Sequence, residues 1–223
     1  GDALPQTQTG TLIALADRLD SLAGLFGTGQ IPTGSKDPFA LRRASLGVLR
    51  LLVEKEINID LGTLIDWALA NDWETDLKSD TKAVLTEYML DRFSAWYHDE
   101  GIPAEVFQAV RTLGITNALD VNRRVQAVHE FSKLESAEAL AAANKRVSNI
   151  LAKNNGDAVS ADVDASLFEA AEEKALFEQM TGLKDLIIPS LEKGNYSMAL
   201  EALSTLRKVV DDFFDNAMVI SDN

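Results

Sequence analysis

PTGSKDPFALRRASLGVLRLLV, Pro32 to Val53, is the stretch from which the fold can be read. Gly34 and Ser35 close a loop, Asp37 is placed to cap the orphan amides of a helix start, and Pro38 at a first helical position needs no amide partner. A helix is therefore expected from Asp37. At about 100° per residue, Phe39, Leu41, Ala44, Leu46, Val48, Leu49, Leu51, Leu52 and Val53 cover most of its circumference, which predicts burial on most sides. One narrow strip stays polar: Arg43, Gly47, Arg50 and Glu54, with a glycine between two guanidinium groups that lets another backbone come close. Arg42 lies off that strip among apolar neighbours. These arginines suit either ion pairs between helices or, together with Lys36, contact with a phosphate backbone, and periodicity alone does not separate the two.

Outward from this helix the same spacing continues, with no alternating strand pattern, so the fold class is all-α. Leu12, Leu15, Ala16, Leu19, Leu22, Ala23 and Phe26 predict a helix over 8–26, broken by glycines 24, 27 and 29. Asp60 is placed to cap a short helix to Asn71, and 71–80 reads as a loop. Asp80 opens a helix with Val84, Leu85, Tyr88, Met89, Phe93, Trp96 and Tyr97 as core groups, closed by Gly101. Pro103 to about Gly114 and Asn117 to Phe131 form two more. Over 136–153, Leu140, Ala143, Val147, Ile150 and Leu151 face inward and Lys145, Arg146, Asn149 and Lys153 gather on the other side, as a solvated face or a binding one. Asn154 to Asp164 reads as a flexible connection. Two long helices are expected after it, 165–193 with Pro189 as a kink or early end, and 196–216 with Leu200, Leu203, Leu206, Val210, Phe213 and Phe214 as its seam. The seam stops at AMVISDN without a cap, which suggests an end that is not natural to the protein. A domain boundary is expected near Asp80.

The 223 residues are 46% hydrophobic and 25% charged, ordinary for a soluble globular chain, and no run approaches the roughly 18 apolar residues of a membrane span. The first ten residues lack the basic start and apolar run of a secretory signal, and without cysteine there is neither a disulfide framework nor a thiolate metal site, which fits a cytoplasmic setting. A formal charge of −14 argues against a chain coated in nucleic acid. Charge is segregated, however. Between Val121 and Lys153, Arg123, Arg124, Lys133, Lys145, Arg146 and Lys153 meet only Glu130, Glu135 and Glu138, whereas nine acids oppose three lysines from Asp157 to Lys193. A local basic footprint on an acidic body is the expectation.

Asp17 and Asp20 in ALADRLD stand three apart on one helix face, able to share a cation or, as ordinary solvated acids, to pair with Arg18 or a neighbouring helix. His98 and His129 are the only histidines, and of the two only His98 precedes an aspartate, Asp99; no glycine loop has the spacing of a P-loop, and no nucleophile-base pair is evident. No catalytic residue is therefore expected.

The string GTGQIPTGSKDPFALRRASLGVLRLLVEK, with SKDPFALRRA at Ser35 to Ala44, resembles a signature segment of the beta subunit of bacterial tetrameric glycyl-tRNA synthetase. LAAANKRVSNILAK, Leu140 to Lys153, and ALEALSTLRKVVDDFFDNAMVISDN, Ala199 to Asn223, resemble the DALR-type anticodon-binding domain of that family. ALADRLD is similar to the last metal-ligand helix of HD-type phosphohydrolases, a fold recognised in this subunit, with Asp17 at the matching position. The resemblance implies an HD-like helical remnant over 1–80, followed by a DALR-type anticodon-binding bundle over 81–223 that lacks its last helix and so exposes an apolar groove beside Leu203, Leu206 and Phe214. It also implies a tRNA-recognition role supporting attachment of glycine to tRNA. On this reading ATP and magnesium belong to a separate alpha subunit in an alpha2-beta2 tetramer, and the chain has no cofactor or membrane partner of its own. Lys145, Arg146, Asn149 and Lys153 are then candidates for tRNA contact, with Arg123 and Arg124 as further ones, and Lys36, Arg42, Arg43 and Arg50 as either backbone-contacting or structural. The alternatives are an HD-type metal-dependent phosphohydrolase remnant using Asp17, and a helical protein-interaction module.

Overall fold

The structure, a computed structural model, describes residues 3–153 and 163–217, without the side chains of Ala139 and Lys153. The described residues form helices joined by short connections and no strand; an isolated pairing of Thr33 with Lys36 closes the Gly34–Ser35 turn. The chain divides into two compact units, Gly1–Val125 and Gln126–Asn223.

In the first unit, α1 (Gln8–Gly27) opens on Thr7, whose hydroxyl accepts the Gly10 amide at 3.1 Å. The packed stripe follows Thr11, Leu15, Leu19, Leu22 and Phe26, spacings of four and three that turn Leu12 outward to 65% exposure. Gly24 and Gly27, expected to break this helix, lie within it. A methyl group on Gly24 would stand 2.6 Å from the Trp73 ring, and one on Gly27 2.6 Å from Leu77. These glycines are notches into which the loop at 71–80 packs, and the Lys78 amide donates to the Gly27 carbonyl at 3.0 Å.

Helix α2 (Leu41–Glu54) begins four residues later than expected. Asp37 does supply the cap: its carboxylate accepts the amides of Leu41 at 2.8 Å and Arg42 at 3.1 Å. It reaches them across a turn, with Ala40 at φ +54°, so Pro38 precedes the helix instead of starting it. Leu41, Ser45, Val48, Leu49, Leu51 and Leu52 are buried along one side, whereas Ala44 and Leu46 line a cleft and Val53 is half-buried, so the helix is packed on one face and not on most sides as expected. Helix α3 (Leu61–Leu69) is capped by Asp60 through the Thr63 amide, and the same carboxylate accepts the Thr116 hydroxyl.

Helix α4 (Thr81–Asp99) packs against α1, α2, α3 and α5 (Ala104–Arg111) and so belongs to this first unit. The division therefore lies at Val125/Gln126, within α6 (Ala118–Ser132), and not near Asp80. The physical reason is the burial of Leu85, Met89, Leu90, Phe93 and Tyr97 against the earlier helices, each large side chain contributing about 1.5–3 kcal/mol. Phe93 stacks on Tyr97 with centroids 5.2 Å apart, and Phe107 of α5 tilts onto Tyr97 at 5.5 Å. Burial pushes the Tyr97 phenol well above its ordinary value, with the Glu100 charge adding to the effect, and its hydroxyl donates to Asn122 Oδ1 at 3.1 Å.

The second unit contains α7 (Glu135–Lys153), a 3-10 turn (Ala165–Leu167), α8 (Ala171–Glu192), α9 (Tyr196–Ser204) and α10 (Arg207–Asn216). Helix α8 starts at Ala171 instead of 165, because the Glu173 carboxylate folds back onto the amides of Glu169 and Ala170 at 2.7 and 2.8 Å and fixes the start there. It runs through Pro189 without ending. The single helix expected over 196–216 is two. The amides of Thr205 and Leu206 bond three residues back, the Thr205 and Ser204 hydroxyls take the carbonyls of Ala202 and Glu201, and Gln179 of α8 donates to the Thr205 carbonyl at 3.1 Å. The connection expected at 154–164 and the chain after Ala217 fall largely or wholly outside the described residues.

Candidate nucleic-acid interface

Helix α7 carries the expected basic face, and its four candidate residues are not equivalent. Lys145 and Asn149, one turn apart, are exposed together with Ser148, and among the described residues Lys145 has no carboxylate within ion-pair distance. Arg146 turns the other way. Its guanidinium lies 4.4 Å from the Phe214 ring centroid, donates to the Phe214 carbonyl at 3.2 Å and sits 3.6 Å from Asp215. A cation over an aromatic face and against the last carbonyls of a helix ties α7 to the end of α10, which makes Arg146 a clamp. The Lys153 side chain lies outside the described residues.

The other cations near this helix are engaged locally. Lys133 donates to Glu130 at 2.7 Å, and that hydrogen bond together with the lysine charge holds the Glu130 carboxyl below its usual range. Lys208 pairs with Asp212 at 2.5 Å and is raised by that hydrogen bond and charge. Among the described side chains of α7 the basic footprint that remains open is thus a short polar strip, Lys145–Ser148–Asn149; elsewhere in this unit Lys184 and Lys193 are exposed as well. On the reverse side of α7, Leu140, Val147 and Ile150 line an apolar groove of about 790 Å³ with Leu203, Leu206 and Phe214, where an exposed groove was expected. Leu151, expected inward, lines its edge at 56% exposure.

In the first unit, Arg123 lies 3.7 Å from Glu56, and Arg124 pairs one turn back with Asp120 at 3.0 Å. Arg42 is half-buried and donates to the Gly34 carbonyl at 2.6 Å, so it pins the turn ahead of α2. Lys36 is exposed in that turn. Arg43 is exposed, and Arg50 is held by Glu54 at 2.6 Å. Gly47 receives a side chain and not the expected backbone: a methyl group there would stand 2.7 Å from Nε of Arg18, which reaches over from α1. Arg18, expected as a partner for Asp17 or Asp20, forms no ion pair with either among the described residues and donates to the Ala14 carbonyl at 2.8 Å.

Asp20 accepts a hydrogen bond from Asn71 at 3.1 Å, and Asp17 stands on the wall of a cleft with Arg18, Arg43 and Arg50. Among the described residues no group of three His, Cys, Asp or Glu side chains converges to hold a metal ion. Nor does a described helix have the length and apolarity to cross a membrane.

Two family models match this chain. Residues 1–112 match the model described as glycyl-tRNA synthetase beta subunit. The chain belongs to that family. Residues 140–223 match the DALR anticodon binding domain, which takes in α7 from Leu140 onward with its exposed Lys145 strip. Similar members of the family are the glycine–tRNA ligase beta subunits of Marinobacter nauticus, Glaesserella parasuis and Hahella chejuensis. They are 48%, 49% and 46% identical over the whole of this chain, which covers 32% of each relative's length. The chain thus spans about a third of these family members.

Proposed function

We propose that this chain is the tRNA-recognition part of a glycine–tRNA ligase beta subunit. Within it, the second unit presents Lys145 and Asn149 to the RNA, while another polypeptide makes the ester. The observation that carries the reading is the coincidence of an anticodon-binding match with the open polar strip of α7, where among the described side chains Lys133, Arg146 and Lys208 are paired and Lys145 is not. An ammonium group on a packed helix contacts phosphate without a large reorganisation cost, and an amide one turn away offers both donors and an acceptor to a splayed base. ATP and magnesium act at a separate alpha subunit, in an alpha2-beta2 assembly in the cytoplasm. Arg123, Arg124, Arg146 and Arg42 serve chiefly to hold the scaffold, each through the contact described above.

The test is a salt-resolved binding titration of this chain with glycine tRNA and with the same tRNA carrying an altered anticodon. Preferential loss of affinity for the altered tRNA supports anticodon recognition. Equal affinities that fall together with salt would mean electrostatic docking without readout.

A further inference from the structure

We propose that Arg146 is a positioning residue for the strip on α7: by holding the end of α10 it fixes the rotation of α7, and so the direction in which Lys145 and Asn149 point, without itself touching the RNA. The inference rests on the reading of that strip as the tRNA contact. Rotation needs fixing because apolar packing alone does not supply it. Of the described side chains of α7, Ala143 alone is buried, while Leu140, Val147 and Ile150 are half-buried over the open groove. A helix whose apolar side borders a groove of about 790 Å³ meets few atoms that resist a turn about its axis. Adjacent helical residues project about 100° apart, so an anchor at Arg146 sets the direction of Lys145 beside it and of Asn149 one turn beyond Lys145.

The far end of the contact receives a cation that α10 does not own. Helix α10 has no basic residue in its last turn, and Asp215 adds negative charge to the carbonyl end of the helix dipole. Ala217 follows in extended conformation, so no left-handed cap closes that end. Arg146 brings the missing charge from α7. One guanidinium lies over the Phe214 ring at 4.4 Å, donates to the Phe214 carbonyl at 3.2 Å and stands 3.6 Å from the Asp215 carboxylate. A planar fork tied to a ring face, a carbonyl and a carboxylate together has little freedom to swing. Lys145, next in the chain, meets no carboxylate within ion-pair distance among the described residues. The two neighbours thus divide the work, Arg146 turned to the protein and Lys145 to the ligand.

The experiment is the affinity of glycine tRNA for the chain across a series of salt concentrations, for the native chain and for Arg146→Ala, Arg146→Lys, Phe214→Leu and Lys145→Glu, with circular dichroism reporting the helicity of each. Releasing α7 leaves the binding-competent orientation as a fraction of the population, so Arg146→Ala and Phe214→Leu are each expected to bind about threefold to tenfold more weakly. Their log-affinity slopes against salt should stay parallel to the native one, since no phosphate contact is lost. The two substitutions combined should weaken binding no more than either alone, and Arg146→Lys, which keeps a cation for the ring and for Asp215, should retain most of the affinity. Native affinity in a folded Phe214→Leu overturns the inference, as does a slope shallower by about one in Arg146→Ala, the mark of a direct phosphate contact. A Lys145→Glu curve superimposable on the native one defeats the underlying reading and the inference with it; weakened binding in Lys145→Glu beside native affinity in Phe214→Leu defeats the positioning role alone.

Discussion

Two helical glycines, Gly24 and Gly47, are both filled by a neighbour, but by side chains of different stiffness. The Trp73 ring over Gly24 is rigid, and its indole N–H is also held by the Ala68 carbonyl at 3.3 Å. Gly24→Ala is therefore expected to destabilise the first unit by about 1–3 kcal/mol, read as a lower thermal midpoint with a shifted tryptophan emission. At Gly47 the intruding atom belongs to the flexible end of Arg18, so an added methyl group should displace that guanidinium at little cost in stability. A second residue-scale expectation concerns Tyr97. Its folded-state pKa is raised by burial, so the neutral phenol is favoured in the folded chain, and the resulting stability is complete below the unfolded value of about 10 and lost as pH rises above it. The thermal midpoint should fall more steeply from pH 9 upward in the native chain than in Tyr97→Phe. The notch at Gly24 was not legible in the sequence, and at Gly47 a close approach was legible but not that a side chain makes it, because what fills a glycine arrives from elsewhere in the chain and leaves no local pattern.

Helix positions and faces were legible wherever spacing and caps agree. Asp37, Asp60 and the apolar stripes of α2 and α4 do what their residue types dictate. Starts and breaks were lost where side chains compete for backbone groups. At the start of α2, Asp37→Ala should cost about 0.5–2 kcal/mol. Ala40→Gly should be neutral or stabilising, since the left-handed conformation costs alanine about 1–2 kcal/mol and the added chain entropy of glycine about 0.5–1. The break at Thr205 comes from hydroxyl and amide groups turning back onto carbonyls three residues earlier, an option that apolar spacing does not record. Helical projection puts Arg146 on the binding face, because it carries no record of a neighbour that covers the edge of that face. Arg146→Ala is expected to speed amide hydrogen exchange in α10 without changing exchange in α1 or α4.

For the molecule as a whole, the net charge of −14 makes any RNA contact local, and the paired arginines narrow it further. The all-helical class, the family resemblance and the basic character of α7 were readable from the sequence. The division at Val125/Gln126 was not, since a helix with apolar groups on one face does not say to which neighbours it belongs. If the open strip of α7 is where this acidic chain meets tRNA, reversing its charge must show in both affinity and ionic response. The direct measurement is the affinity of glycine tRNA for the native chain and for Lys145→Glu across a series of salt concentrations, with helicity matched. Weaker binding and a log-affinity slope shallower by about one or more is the predicted result. Superimposable curves for the two proteins would contradict it.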